Sequence, residues 1–239
     1  MFSTKAGGGI NKTRSDPDVK FAIVGNRRTG TSHLVSLLDS HPEVACWDGE
    51  IFDVGEAFES SLYEDPASFL REIVFRVRAH AVGFKLLAPA MERVVDVWAL
   101  LKESSIRIVH VRRANLLDVY ISYRLASLNQ AFTCWYGDYH TAQFKADYEE
   151  CLTWFEACMS HDRLIKAKAQ ECNIPRLEIE YSELVACQDR VLDFIGVSRH
   201  PLSSRLAKQR ESRQSDIILN YQELKDRFAK SEWAWCFDD

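Results

Sequence analysis

The run Lys20-Phe21-Ala22-Ile23-Val24 stops at Gly25, and a second glycine, Gly30, comes after four intervening residues at the start of a segment with helical periodicity. Nothing else in the chain restricts its folding as much. Continuous apolar residues ending at a glycine mark a strand buried on both faces, and such strands occur in parallel sheets covered by helices. Strand, Gly25-Asn26-Arg27-Arg28-Thr29-Gly30-Thr31-Ser32 and helix together have the spacing and context of a loop that cradles a phosphate. Nucleotide triphosphatases place a lysine after the second glycine; here that position is Thr31, which counts against a nucleotide kinase. An anion site remains. A helix N-terminus presents unpaired N–H groups and roughly half a positive charge. Arg27 and Arg28 add planar guanidinium donors suited to sulfate or phosphate oxygens.

The helix after the loop covers 31–39 and ends at His41-Pro42, because proline disfavours helical geometry in the residue before it. Further strands are expected at Val44-Ala45-Cys46, 81–86, 106–111 and 176–179. Helices are expected at 69–80, at 92–102, after Asn115 and over 141–171, followed by a mostly helical C-terminus. This alternation implies an α/β, P-loop-like three-layer fold with a central, mainly parallel sheet flanked by helices. Ligand sites of such sheets lie at the carboxyl ends of the strands. Residues 1–19, with Gly7-Gly8-Gly9, read as a flexible tail and 20–239 as a single domain.

A formal charge of −5 argues against a broad nucleic-acid footprint, so anion binding must be local. No segment approaches the roughly 20 apolar residues of a membrane span, and residues 1–20 lack the apolar run of a signal peptide. Seven cysteines, odd in number and without zinc-type spacing, suit reduced thiols in a cytoplasmic setting. Cys151 and Cys158, on one helix, read as one buried face rather than a disulfide. His110, inside a buried strand, reads as a satisfied core histidine. Homo-oligomerisation is left open.

Strand, Arg28-Thr29-Gly30-Thr31, helix, His41-Pro42 and Gly49-Glu50 resemble the bacterial carbohydrate sulfotransferases, in particular the nodulation-factor and trehalose types. The resemblance covers most of residues 20–225. It includes Val82-Gly83-Phe84-Lys85-Leu86, Glu180-Tyr181-Ser182-Glu183-Leu184, Phe194-Ile195-Gly196-Val197, Lys208-Gln209 and Asn220-Tyr221-Gln222-Glu223-Leu224. It implies transfer of a sulfuryl group from 3′-phosphoadenosine-5′-phosphosulfate (PAPS) to a hydroxyl of a carbohydrate or glycolipid, with release of the bisphosphate PAP and no metal. It also implies that Arg28 contacts the 5′-phosphosulfate, with donors from Thr29, Gly30, Thr31 and Ser32. The family holds the 3′-phosphate with an arginine and, eight residues on, a serine. Ser122 fits, but the arginine position is Ala114. Either Arg113 or Arg112 replaces it, with Arg113 favoured, or selectivity for the 3′-phosphate is weakened. A P-loop-type nucleotide or small-molecule kinase, and a chain that binds PAP or another anion without catalysis, are the remaining alternatives.

Attack by a hydroxyl needs a base, and Glu50 is the candidate, in a segment whose aromatic neighbours would desolvate a carboxyl. Asp48 and Asp53 compete with it. Lys85, at a strand's carboxyl end, is a substrate or sulfonate contact, and Lys208 and Arg213 are candidates to cover the nucleotide. Phe132-Thr133-Cys134-Trp135-Tyr136 and Trp47 read either as an acceptor platform or as core.

Overall fold

The computed structural model describes residues 16–52, 65–92, 94, 96–132, 142–206 and 212–237. Five strands, β1 (Val19–Gly25), β2 (Val44–Glu50), β3 (Ala81–Leu87), β4 (Ile106–Arg112) and β5 (Arg176–Glu180), form one sheet in the order β2-β3-β1-β4-β5. Every pairing is parallel. β1 therefore lies at the centre, and its carboxyl end faces the crevice where open parallel sheets bind ligands.

Alternate residues of the central strands face different helical layers, which makes the three layers explicit. Ala22 and Val24 of β1 join Val82, Phe84 and Leu86 of β3 against α4 (Val97–Glu103) and the far end of α6 (Tyr148–Glu171). Phe21 and Ile23 point the other way, onto Leu34, Val35 and Leu38 of α1 (Thr31–Leu38) and Val191, Leu192 and Ile195 of α7 (Gln188–Ile195). A further apolar cluster joins α5 (Leu116–Leu128), the first half of α6, α8 (Gln214–Ile217) and α9 (Tyr221–Phe228). Among the described residues, no helix is long and apolar enough to cross a membrane.

The expected elements are present, with boundaries set by caps. In place of a helix over 69–80, α2 covers only Pro66–Glu72, capped by Asp65 on Ser68 N, and a 3-10 turn follows at Val74–Arg76. A short α3 (Ala88–Met91) precedes α4, which begins at Val97 because Asp96 accepts from Ala99 N. α6 begins at Tyr148 rather than 141, where Asp147 caps Glu150 N. Phe144, just upstream, is held in a parallel bridge to Ile218. Cys151 and Cys158 are free thiols on the buried side of α6, and burial pushes each up to about 12.

His110 is fully buried and bonded at both ring nitrogens. Arg176 donates to Nδ1 at 3.2 Å, so Nε2 carries the hydrogen that reaches Asp162 Oδ1 at 3.0 Å. The ring is the satisfied core histidine the sequence suggests.

Candidate active site

The loop Gly25–Gly30 is built by close approach. A Cβ on Gly25 would lie 2.4 Å from the Val111 carbonyl oxygen, so only glycine lets the end of β4 pass. Gly30 has φ +96°, and a Cβ there would come within 2.5 Å of the Tyr181 ring. Between them, Arg28 is held at φ 67°. The Thr29 hydroxyl donates to the Asn26 carbonyl at 2.8 Å and closes the loop internally.

Asn26, 3% exposed, fixes this loop to the rest of the protein. Its amide donates to the Cys158 carbonyl at 3.0 Å and to Asp162 Oδ1 at 3.1 Å, and its oxygen meets His161 Nδ1 at 2.7 Å. Asp162 also accepts from Arg112 Nε at 3.0 Å, and Arg112 reaches Glu178 at 2.9 Å. Arg112 is thereby committed to a network under the sheet end. Burial alone would raise the Glu178 carboxyl, but bonds from Arg176 and Arg112 hold it down at about 2. The sequence signal for Asn26 was a polar residue directly after a buried strand, and it was missed.

Around the loop lies a cavity of about 400 Å³ lined by Arg27, Arg28, Thr31, Ser32, Glu50 and Lys85, with Leu87, Tyr123 and Phe132 as its apolar wall. Lys85 is 6% exposed. Its Nζ donates to Ser32 Oγ at 3.0 Å and lies 3.5 Å from Glu50 Oε1. Thr31 stands where a P-loop lysine would be, and β3 brings a lysine to the loop from the adjacent strand.

Glu50 reaches this place through an irregularity. β2 and β3 run in step to Trp47↔Phe84, and the next pairing is Glu50↔Lys85. Asp48 and Gly49 are the surplus residues of a bulge, a device that re-aims a side chain. The expected short strand at 44–46 thus extends to Glu50 itself. Asp48 is left outside the cavity lining, its carboxyl raised by burial against the pull of Lys85 and Arg205. A Cβ on Gly49 would meet nothing within 4 Å, so no protein group demands glycine there.

Arg28 reaches across the cavity. Its Nε donates to Ser122 Oγ at 3.0 Å, and Nη1 donates to the Phe132 carbonyl. Ser122 therefore lies within reach of the Arg28 side chain. Arg113 turns to Asp118, with Nη2 to Oδ2 at 3.0 Å, and lies 4.7 Å over the Tyr181 ring. Trp47 donates from Nε1 to the Val74 carbonyl and packs on the core, so it is no platform. Phe132 is exposed and lines the cavity near Tyr123, which sequence reasoning did not single out. Asp53, Lys208 and 133–136 lie outside the described residues.

The sulfotransferase from Alicyclobacillus acidocaldarius superposes with a TM-score of 0.51 at 20% identity, covering 90% of this chain and 92% of that one. The fold is therefore that of a sulfotransferase. Along the sequence, the chain is 27% identical over 250 residues to Nodulation protein H of Rhizobium meliloti, covering 93% of this chain and 96% of that protein. Nodulation protein H of Rhizobium tropici is 24% identical over 233 residues, covering 91% and 92%. No family model matches.

Proposed function

We propose that this chain transfers the sulfuryl group of PAPS to a hydroxyl of a carbohydrate or glycolipid acceptor and releases PAP. The observation that carries this reading is the meeting of Arg28, Ser32, Lys85 and Glu50 in one cavity at the end of β1. The α1 N-terminus and Arg28 receive the 5′-phosphosulfate, an anion matched by N–H groups and a guanidinium. Arg27 and Ser32 complete that half of the site, and Arg113 and Ser122 are assigned to the 3′ side of the nucleotide.

Glu50 is the base. The acceptor oxygen attacks sulfur as Glu50 takes its proton, and the bond from sulfur to the bridging 5′-phosphate oxygen breaks in line, so that PAP leaves with the electron pair. Lys85, 3.5 Å from Glu50, neutralises charge gathering on the sulfuryl oxygens. Tyr123, Leu87 and Phe132 form the apolar side against which an acceptor rests. The six free thiols among the described residues suit a reducing, cytoplasmic compartment.

Glu50→Gln tests the assignment. Turnover should fall at least about a hundredfold while PAP affinity stays near that of the parent. PAP should also raise the melting temperature without magnesium, and ATP with magnesium should not. A fully active Glu50→Gln protein rejects Glu50 as the base.

A further inference from the structure

The basic group next to the phosphate loop is already neutralised. Arg113 leaves the carboxyl end of β4 with its guanidinium over Tyr181, the ring that also lies against Gly30, so it stands one side chain away from the loop. The Arg113 and Asp118 side chains are only 16% and 21% exposed. The second oxygen of Asp118 accepts from Gln214 Nε2 at 3.1 Å. Gln214 is 3% exposed, and its oxygen meets the Tyr221 hydroxyl at 3.5 Å. That hydroxyl is anchored on the Phe237 carbonyl at 2.6 Å. The carboxylate is thus held from behind, and swinging it off Arg113 would cost the buried amide this hydrogen bond and leave it the longer one to Asn115 Oδ1 at 3.4 Å.

Other charges at the same strand end do not restore the balance. Arg112 is bound to Asp162 and Glu178. Position 114 is alanine, and its N–H donates at 2.7 Å to Glu180, which brings a second carboxylate beside Arg113.

We infer that Asp118 sets donor selectivity: held on Arg113, it leaves a site that barely separates a nucleotide 5′-phosphosulfate with a 3′-phosphate from one with a 3′-hydroxyl. This rests on the donor reading above. A phosphate dianion arriving at Arg113 meets a fixed carboxylate on the same guanidinium, and like charges in a half-buried setting repel. A ribose hydroxyl meets no such repulsion and can donate a hydrogen bond to that carboxylate.

The test is calorimetric titration of the full chain with PAP and with AMP, for the parent, Asp118→Asn and Arg113→Gln. Asp118→Asn keeps the α5 cap, because the backbone N–H of residue 118 makes that bond to Asn115. The parent should prefer PAP over AMP by less than about tenfold. Asp118→Asn should widen the preference by about a further tenfold, through tighter PAP with AMP unchanged. Arg113→Gln should abolish it. A parent preference above about a hundredfold that Asp118→Asn leaves unchanged overturns the inference. So does an equal gain for both nucleotides, which would place Asp118 at the shared 5′-phosphate. A folded parent that binds neither nucleotide overturns the donor reading itself.

Discussion

Replacing Lys85 by methionine separates the contribution of this side chain to folding from its contribution to the reaction. Methionine keeps the length and apolar stem that β3 buries but removes the ammonium, which is 3.0 Å from Ser32 Oγ and 3.5 Å from Glu50. The stability effect is small on physical grounds. A lysine side chain 7% exposed has been desolvated to make this pair, and removing one partner of an ion pair is costly mainly where the other stays buried. The Glu50 left behind is 34% exposed and turns to water. A net change within about 1 kcal/mol moves the melting temperature of a chain this size by about 2–4 °C. The transition state loses a fixed cation, a deletion that costs about 10² to 10³ in rate, or about 2.7–4 kcal/mol. Thermal unfolding beside initial-rate kinetics therefore should give a nearly unshifted melting temperature with kcat lowered by that factor. Combining Lys85→Met with Glu50→Gln should add little further loss, since the two side chains act as one unit. Activity within about tenfold of the parent would refute the role of Lys85 at the sulfuryl oxygens.

Two other perturbations probe the loop and the network beneath it. Gly30→Ala forces an L residue to φ +96° with its Cβ 2.5 Å from the Tyr181 ring; it should cost about 1–3 kcal/mol in chemical denaturation and remove PAP binding by calorimetry. Glu178, depressed to about 2, contributes stability that is present above the ordinary glutamate range and is lost as pH falls toward that value. Its side chain is 36% exposed, so screening leaves about 1 kcal/mol. Melting temperatures measured between pH 6 and pH 3 should fall more steeply for the parent than for Glu178→Gln, and parallel curves would exclude this linkage.

The centre of the fold was legible because it is written in local pattern. β1, its two glycines and the helix after them follow from apolar continuity and spacing alone, and Asn115 announced the start of α5. The boundaries that differed depend on distant partners or caps: residues 142–147 precede α6 because Phe144 pairs with Ile218 across the chain. The same division runs through the site. Arg28 and Ser32 are given by the loop, whereas choosing between Asp48 and Glu50 required the register shift against Lys85, which no single segment encodes. The sequence left Arg113, Arg112 or a weakened 3′ site as alternatives to the arginine missing at position 114. It did not show that Asp118, held by Gln214 from the C-terminal segment, already occupies that arginine.

The central claim is sulfuryl transfer from PAPS, and it is tested most directly with PAPS labelled in its sulfur, incubated with the protein and a fractionated carbohydrate and glycolipid extract in the presence of a chelator. The account requires label in an acceptor fraction, one PAP released per label transferred, and loss of both on Glu50→Gln. Label that remains in PAPS or appears only as inorganic sulfate, under conditions where the protein is folded, would contradict it.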